Sequence, residues 1–543
     1  MNTNHHTNKV ITLVVTCLGS FMVLLDTSIV VTALPTIQSS FHANLSDLQW
    51  AIDAFTLSFA ALMLTGGTLG DRFGRKLFFL LGLILFVIGS AFCGLASTLG
   101  WLLFGRVVQG MGAAVLAPGS LSVLAAAFPE PRERTQAIGI WAGVSGLGLA
   151  IGPLAGGWLI QVASWPAIFF VNLPVGLVAL VLSVPLLAES RNPNAQRIDL
   201  PSQVLVTGFL VCLVMGLIEG SSQGWISPLI LSLFIGSAVL LVAFLLIEAR
   251  VREPMIPLRL FMNPVFSVAN VASVVLGFTM VGTLFFMVQF LQNVQGYTAF
   301  EAGLRSLPAS VGIFAVAPFV GQLTARIGPR VPIVLGALLS AVSLFMTATT
   351  LQPNTSYAML WWQIALFGIG CGLMLTPLAS AVLSATPPQR SGLGSSILNT
   401  CRTVGITLGV AVLGAFVLQQ FPGNIASQLT QRGLPASVSA TMANKLAAAG
   451  AGAGQTSQPG HLPLPLTVLH QAVGQAFANT LHGTFLISAT GLLAAALLAA
   501  LWLKQKPSAV RIGVDAPGRR ERAEALASQG VVEEEGISQQ VTG

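Results

Sequence analysis

Fourteen apolar segments recur along this chain, and their number and length constrain its fold more than any other feature. Each segment is close to the ~20 residues that a helix needs to cross a lipid bilayer. The segments span residues 10–34, 48–70, 77–97, 100–127, 136–161, 166–187, 200–219, 228–248, 265–291, 303–325, 330–350, 358–385, 395–419 and 483–503. The pattern therefore predicts an all-α membrane protein with fourteen transmembrane helices.

The composition favours the same fold class and narrows the partners. Hydrophobic residues make up 54% of the 543 residues and charged residues only 8%, whereas soluble domains carry about 25% charged residues. The net charge is +7, but the basic residues lie in short loops and in the C-terminal tail, so we expect no nucleic-acid partner. The five cysteines lie in apolar segments and form no Cys-x-x-Cys pair, so the sequence predicts neither a metal site nor a disulfide framework, and no cofactor.

The lysines and arginines predict the orientation in the membrane. An even number of spans places both termini on the same side, and short cytoplasmic loops carry an excess of Lys and Arg. With the N-terminus inside, the loops that become cytoplasmic contain Arg72, Arg75, Lys76, Arg132, Arg134, Arg191, Arg197, Arg250, Arg252, Arg259, Arg326, Arg330 and Arg390. The short outer loops contain essentially none, and Arg305 lies just inside helix 10. We therefore expect a bacterial-type inner-membrane protein with both termini in the cytoplasm.

Two short stretches of the chain repeat each other. Residues 67–76 read GTLGDRFGRK and residues 321–330 read GQLTARIGPR. At one constant offset, the matched pairs are Gly67 with Gly321, Leu69 with Leu323, Arg72 with Arg326, Gly74 with Gly328 and Gly82 with Gly336. The alternative is a chance match of glycine-rich turns. Internal repeats are typical of secondary transporters, whose site lies between the two halves near the middle of the membrane.

The repeat predicts two six-helix bundles. The first occupies residues 1–190 and the second residues 261–505, with two linking helices at 191–260. The segment 420–482 forms one long outer connection, which its Gly, Ala, Gln, Ser and Pro content predicts to be a partly helical or mobile cap. Residues 506–543 are predicted to be a polar cytoplasmic tail.

Three charged residues lie within predicted helices of the first half. Asp26 stands in helix 1, Asp53 in helix 2 and Arg106 in helix 4, at comparable depth in the outer half of the membrane. An ionisable group in a transmembrane helix is costly and normally faces a protein interior or a wet cavity. We therefore predict an acid–arginine–acid cluster that couples to protons. For Asp53 and Arg106 the alternative is snorkelling to the nearby surface, whereas Asp26 is deeper.

The turn between helices 2 and 3 is a candidate gate on the cytoplasmic side. Gly67 and Gly74 allow two helices to approach closely, and Asp71 either caps the start of helix 3 or pairs with Arg72 or Arg75. The alternative is a topology signal made of loop charges, which accounts for the arginines but leaves Asp71 unexplained.

Helix 5 carries a regular row of glycines. Gly148, Gly152 and Gly156 stand four residues apart and form a smooth ridge against which another helix can pack closely. Pro153 can bend this helix. Such a helix suits either ordinary packing or a sliding contact between the two halves. In helix 13, Arg402 either serves a cavity or snorkels to the cytoplasmic surface.

Together these segments resemble the fourteen-helix drug:proton antiporter branch of the major facilitator superfamily, which includes EmrB- and QacA-type exporters, over residues 10–505. The matching positions are Leu25-Asp26-Thr27 and Ala33-Leu34-Pro35 in helix 1, residues 67–76 in the loop, Arg106, Gln109, Gly110 and Gly112 in helix 4, and Gly148, Gly152, Pro153, Gly156 and Gly157 in the antiporter motif of helix 5. The sequence departs from the branch at Val31, where Asn is common, at Gly70, where Ala is usual, and at Pro166, where Arg is common. Of these departures, we expect Val31 to affect the cavity wall.

The resemblance implies a proton-coupled antiporter, not an enzyme, that exports lipophilic and often cationic drugs by alternating access. Asp26 or Asp53 would bind a proton from outside and release it inside, and Arg106 would tune the two carboxyls. Gln109 and Arg402 are candidate cavity residues. The expected partners are the drug, protons and membrane lipid, and the expected working unit is a monomer.

Other transporter and enzyme classes have signatures that the sequence does not carry. An ATP-driven pump needs a Gly-x-x-x-x-Gly-Lys-Ser/Thr loop, and none occurs. A membrane enzyme would need a nucleophile elbow or a metal-binding cluster within the helices, and neither is found. The closest alternative is a proton-coupled exporter of a single endogenous metabolite or lipid, which the sequence does not separate from drug efflux.

Overall fold

The computed structural model describes residues 2–190, 199–251, 254, 256–387, 391–449 and 465–503, and the regular secondary structure in these ranges is helical. The helices are α1 (Asn2–Phe41), α2 (Leu45–Phe73), α3 (Arg75–Gly94), α4 (Leu99–Ala127), α5 (Pro131–Ala163), α6 (Ala167–Phe170), α7 (Asn172–Leu186), α8 (Leu200–Gln223), α9 (Pro228–Arg250), α10 (Leu258–Phe261), α11 (Pro264–Gln289), α12 (Ala299–Ile327), α13 (Arg330–Thr350), α14 (Tyr357–Ala385), α15 (Ser391–Gln431), α16 (Ala436–Ala449) and α17 (Leu466–Trp502). A π-helical turn at Phe290–Val294 continues α11.

The helices have the length and composition that a bilayer requires. Eleven segments of the described chain qualify as membrane spans, and two bent helices raise the number to 13. α2 bends by 50° near Met63 and α5 bends by 42° near Leu149. The all-helical membrane fold is thus confirmed. The count of fourteen stays a prediction, because α12 is not among these spans.

Local sequence signals set where several helices begin. At the start of α2, Asn44 and Asp47 cap each other's backbone N–H groups at 2.9 Å in both directions. Thr298 and Glu301 form the same reciprocal box at the start of α12. Because the first N–H groups of a helix have no partner within it, a polar cap and its acidic reciprocal fix the first turn of each of these helices.

The helices assemble into two bundles that meet along two pairs of helices. In the first bundle α1 packs on α5, and α4 packs on α2 and α3; in the second, α15 packs on α11, and α14 packs on α12 and α13. α5 contacts α12 and α2 contacts α15, so these pairs join the bundles. The linking helices α8 and α9 pack on each other, and α8 touches both α2 and α15. The linking pair therefore lies along one of the two junctions.

The sequence repeat has a structural counterpart in both bundles. Gly74 and Gly328 end the equivalent helices α2 and α12, and both have positive φ angles, 136° and 81°. A Cβ added to Gly82 would lie 3.0 Å from the carbonyl oxygen of Gly112, and one added to Gly336 would lie 2.5 Å from that of Gly370. Each half thus uses its repeated glycine for the same close approach between two helices.

The long outer connection differs from its predicted bounds. α15 continues to Gln431, α16 packs on it, and α17 already begins at Leu466. Hydropathy marks the part of a helix that crosses lipid, whereas these helices extend beyond that part into polar sequence. Residues 450–464, the tail at 506–543 and the basic residues Arg191, Arg197, Arg252 and Arg390 lie outside the described residues.

The two ends of the molecule differ in charge, and they are named here for that difference. The basic end contains the start of α1, the start of α5 and the α2–α3 turn. Lys9 pairs there with Glu133 at 2.5 Å, and the N–H of Arg75 donates to the carbonyl of Ser190 at 3.0 Å. α5 runs antiparallel to α12, since Gly157 meets Phe300 and Gly146 meets Phe314. The α12–α13 turn therefore also belongs to the basic end. The end of the molecule away from these residues is called the opposite end.

Candidate functional site

A buried polar cluster lies inside the first bundle. Arg106 Nη1 pairs with Asp26 Oδ2 at 2.5 Å, and the two side chains are 1% and 0% exposed. Gln109 Nε2 and Asn172 Nδ2 donate to Asp26 Oδ1 at 3.0 and 3.3 Å, and both also donate to Ser90 Oγ. These five residues, Asp26, Ser90, Arg106, Gln109 and Asn172, are called the Asp26 cluster. Every carboxylate oxygen of Asp26 has a donor, as a buried charge requires.

Arg106 is held by partners on several helices. Its Nε donates to the carbonyl of Ala51 on α2 at 2.9 Å, and its Nη1 also donates to Gln109 Oε1 at 2.9 Å. The guanidinium lies 4.4 Å from the ring centre of Phe55, a distance at which cation–π attraction operates. With 1% of the residue exposed, Arg106 does not snorkel to the surface, and that alternative was wrong.

Asp53 lies apart from the Asp26 cluster. Its residue is 0% exposed, its Oδ1 accepts one hydrogen bond from Thr56 Oγ1 at 3.2 Å, and its Oδ2 is buried without a partner. Among the described residues Asp53 forms no ion pair. The predicted acid–arginine–acid cluster therefore divides into an Asp26–Arg106 pair and a separate acid, because the rotation of α2 turns Asp53 toward the other bundle.

Asp53 faces a polar junction between the bundles. Thr407 Oγ1 on α15 donates to Thr56 Oγ1 at 3.0 Å, and Gln49 Nε2 donates to the carbonyl of Val410 at 3.2 Å. Gly414 leaves the space that the Gln49 amide fills, since an added Cβ would overlap it. The name seam is used below for Gln49, Asp53 and Thr56 of α2 with Thr407, Val410 and Gly414 of α15.

The antiporter-motif glycines of α5 serve two different contacts. Gly148, Gly152 and Gly156 face α1 of the same bundle; a Cβ on Gly148 would lie 2.7 Å from the carbonyl oxygen of Phe21, and the other two would meet Ser28 and Thr32. The ridge thus packs within the first bundle. The contact between bundles comes next to it: Gly157 meets the backbone of Phe300, and Gly303 meets the carbonyl of Pro153.

A cavity of about 70 Å³ lies between the bundles. Helices α1, α5, α11, α12, α13 and α14 surround it. Its polar lining consists of Thr27, Ser28, Thr283, Ser306, Ser310, Ser343, Thr347 and Gln363, and its apolar lining includes Val31, Leu149, Met280, Leu284, Met287, Ile313 and Phe367. The lining residues carry no ionisable side chain. Because drug-sized sites typically occupy about 300–1,000 Å³, the bundles must separate to admit a drug-sized molecule.

Val31 and the candidate cavity residues lie in different places. Val31 lines the cavity, as expected. Gln109 belongs to the Asp26 cluster within the first bundle. Arg402 donates through Nη2 to Asn399 Oδ1 of its own helix at 2.9 Å. Neither Gln109 nor Arg402 is among the side chains that line this cavity.

The candidate gate residues cluster at the basic end. Arg75 Nε donates to Asp71 Oδ1 at 2.7 Å, so Asp71 pairs with Arg75. The cap of α3 is instead Glu189, whose carboxylate accepts from the N–H groups of Lys76 and Leu77 at 3.1 and 3.3 Å. The guanidinium of Arg72 lies 5.5 Å from the ring of Phe73. Gly67 packs on Pro118 of α4, where an added Cβ would lie 3.6 Å from Pro118 Cβ.

The seam residues other than Asp53 were not among the site residues predicted from the sequence. Gln49, Asp53 and Thr56 stand at i, i+4 and i+7, which places them on one face of α2. A polar row at helical spacing inside an apolar segment was a usable signal. Thr407 gave no such signal, because single threonines in transmembrane helices commonly bond to their own backbone.

Comparisons with known proteins agree with this architecture. The family model described as Major Facilitator Superfamily matches residues 16–410. The multidrug resistance protein Stp of Mycobacterium tuberculosis (strain CDC 1551 / Oshkosh) is 38% identical over 427 residues, which cover 79% of each chain. The tetracenomycin C resistance and export protein of Streptomyces glaucescens is 36% identical over 426 residues, covering 78% of this chain and 79% of that one.

A solved structure shares the fold. A bacterial homologue of the human lysosomal transporter Spinster, in an inward-facing and unoccupied conformation, superposes with a TM-score of 0.63 at 20% identity, covering 92% of this chain and 97% of that one. At this identity the likeness concerns the fold alone. The match of the family model over most of the chain and the two relatives decide the family. The chain belongs to the Major Facilitator Superfamily.

Proposed function

We propose that this protein is a proton-coupled antiporter that exports lipophilic drugs across the cytoplasmic membrane by alternating access. The observation that carries the proposal is Asp53, a carboxyl that is 0% exposed, has one unpartnered oxygen and lies where the two bundles meet. Buried acids inside transmembrane helices are typical of proton pathways. The relatives named for multidrug resistance and for drug export support the direction of transport.

The cavity supports a lipophilic substrate. Methionine, leucine, isoleucine and phenylalanine side chains form most of its wall, and hydroxyl groups with one amide supply the polar contacts. Such a lining binds through apolar area and a few hydrogen bonds. A cationic drug would bind there without a carboxylate in contact, so lipophilicity rather than charge would select the substrate.

The Asp26 cluster and Asp53 have separate roles in this proposal. Asp26 is paired with Arg106 and hydrogen-bonded to Gln109 and Asn172, so the cluster fixes the packing of α1 against α4. Asp53 takes up a proton from the opposite end and releases it toward the basic end. One charge that crosses ~100 mV provides ~2.3 kcal/mol, which at ~1.36 kcal/mol per decade supports a drug gradient of roughly 50-fold.

The same proposal sets the orientation and the assembly. The excess of Lys and Arg at the basic end favours its cytoplasmic placement. Both termini would then be cytoplasmic in an inner membrane, and the opposite end would face outward. One chain supplies both bundles and the cavity between them, so a monomer is a complete transport unit.

The test is transport in vesicles that contain the purified protein, with ethidium as the probe and an imposed pH gradient. We expect the wild-type protein to accumulate ethidium, and the Asp53→Asn variant to lose this gradient-driven accumulation. Asp47→Asn is the matched control, because this partly exposed acid lies on the same helix in its N-terminal capping box, away from the seam. Full gradient-driven accumulation by Asp53→Asn would show that another group couples transport to protons.

A second candidate is a dedicated exporter of one compound. The relative named for tetracenomycin C resistance and export favours it. A panel of unrelated antibiotics and dyes, applied to cells with and without the gene, distinguishes the two. Protection against several chemical classes supports drug export in general, and protection against one class supports a dedicated exporter.

A further inference from the structure

We infer that the seam is the element through which Asp53 controls closure between the bundles, with Thr56, Thr407 and Gln49 as its positioning residues. The inference rests on the proposed function, in which Asp53 exchanges the transported proton. It adds the contacts through which protonation of Asp53 changes the separation of the two bundles.

Asp53 lies between two contacts that join α2 to α15. Gln49 bonds to α15 one turn before Asp53, and Thr56 bonds to α15 about one turn after it. The residues Gln49, Asp53, Thr56 and Thr407 are between 0% and 2% exposed. Water from either end of the molecule therefore reaches the carboxyl along the seam only when the contact on that side of Asp53 separates.

The hydrogen bonds from Thr407 to Thr56 and from Thr56 to Asp53 run in one direction. A hydroxyl has one proton to donate, and Thr407 donates its proton to Thr56 at 3.0 Å, which is shorter than its 3.3 Å contact with the carbonyl of Thr403. Thr56 then has its own proton available for Asp53 Oδ1 at 3.2 Å. The chain runs from the second bundle to the carboxyl, and bonds in such a chain strengthen one another.

An ionised Asp53 side chain is energetically costly inside the closed seam. Within the described part of the chain, Asp53 in the closed seam has one hydrogen bond and an unpartnered Oδ2. Burying an ionised carboxylate in this setting is strongly unfavourable, whereas the protonated acid is neutral. The seam therefore closes around protonated Asp53, and loss of the proton favours an open seam in which water solvates the carboxylate.

The charged groups near α2 are engaged elsewhere. On α4, Arg106 pairs with Asp26 of α1. On α8, Glu219 accepts from Trp50 Nε1 at 3.1 Å, and on α15, Arg402 donates to Asn399 of the same helix. Asp53 is thus the titratable group of the seam, and protonation of this one carboxyl decides the balance between closed and open.

The experiment measures the opening of the seam in purified protein without substrate or gradient. Spin labels are placed at Ser39→Cys and Gln420→Cys, two exposed positions at the opposite end on different bundles, after replacement of the native cysteines. Pulsed electron paramagnetic resonance then gives the distance between the labels as a function of pH. We expect short distances at low pH, longer distances at high pH, and short distances at every pH in Asp53→Asn.

Thr407 provides the test of the linking bond. Thr407→Val removes the donor but keeps the shape, so the closed seam loses one hydrogen bond and the opening midpoint falls by about 0.5–1 pH unit. Thr407→Ser restores the wild-type midpoint. Thr403→Val is the matched control, because the Thr403 hydroxyl bonds to the carbonyl of Asn399 on its own helix at 2.9 Å, and its midpoint stays at the wild-type value.

Two results would overturn the inference: a Thr407→Val profile that superimposes on that of Thr403→Val, or a pH-dependent distance that persists in Asp53→Asn. Failure of the proposed function looks different. In that case Asp53→Asn retains proton-driven ethidium transport in vesicles, whatever the label distances show. The two readouts therefore separate an error about the seam from an error about the transported proton.

Discussion

Asp26 and Asp53 are both fully buried acids on neighbouring helices, yet their surroundings differ. Asp26 faces the interior of one bundle and receives donors from Arg106, Gln109 and Asn172. Asp53 faces the other bundle and, among the residues that the structure describes, receives a single donor, Thr56. Burial alone therefore does not distinguish the two acids. In the proposed function, the structural acid has several partners within one bundle, whereas the proton-exchanging acid has few partners and lies where the two bundles meet.

The largest expected effect tests the structural side of the comparison. Arg106→Gln leaves Asp26 as a buried charge without its counter-ion, which costs about 3–5 kcal/mol of stability. Chemical denaturation of the purified protein in detergent measures this loss. The double variant Asp26→Asn with Arg106→Gln removes both charges and should regain most of the stability. A loss below about 1 kcal/mol in the single variant would mean that the pair is not a structural charge pair.

A medium effect separates contacts within a bundle from contacts between bundles. Gly148→Ala forces a Cβ toward the carbonyl oxygen of Phe21 inside the first bundle, and overpacking of this kind costs about 1–3 kcal/mol. Gly157→Ala adds the same atom against Phe300 of the other bundle. There the bundles can separate, so we expect a longer distance between labels at the opposite end with little loss of stability. Gly139→Ala, which meets open space, is the control.

The prediction under test is that Gly148→Ala lowers stability, whereas Gly157→Ala lengthens the distance between the labels. If Gly148→Ala and Gly157→Ala lower stability equally and leave the label distance unchanged, α5 and α12 form a fixed contact. The α5–α12 junction would then not open during transport.

The smallest expected effect tests whether the unpartnered hydroxyl of Thr283 contributes to substrate binding in the cavity. Thr283 lines the cavity, and its hydroxyl is buried without a partner among the residues described by the structure. Thr283→Val should raise the KM for ethidium or another transported drug several-fold, since one hydrogen bond contributes about 1 kcal/mol, and should leave stability unchanged. Thr279→Val is the control one turn earlier, where the hydroxyl bonds to the carbonyl of Val275 at 2.9 Å. Equal KM values in the two variants would remove Thr283 from the substrate site.

The sequence predicted the depth of the charges but not the direction in which they point. Asp26, Asp53 and Arg106 stand at similar depth in their apolar segments, and depth alone suggested one cluster. Whether Asp53 meets Arg106 or Thr407 depends on the rotation of α2 about its axis, and that rotation is set by packing against α4 and α15. Pairing across several hundred residues leaves no local pattern in a single sequence.

The helical spacing of the glycines in α5 predicted that another helix packs closely against it, but not which helix that is. The row of Gly148, Gly152 and Gly156 predicted a close approach, and the structure has one, but the partner is α1 of the same bundle. The contact between bundles uses Gly157 with Phe300 and Gly303 with Pro153. Hydropathy placed the membrane-crossing parts of α15 and α17 but not their polar extensions, because a helix continues where its backbone bonds continue rather than where lipid ends.

The central claim is that Asp53 holds the exchangeable proton and Asp26 does not. Infrared difference spectroscopy of the purified protein in lipid, between low and high pH, detects the carbonyl stretch of a protonated carboxyl directly. The account predicts that wild type and Asp26→Asn lose this band as the pH rises and that Asp53→Asn lacks it. A band that persists in Asp53→Asn and disappears in Asp26→Asn would contradict the account.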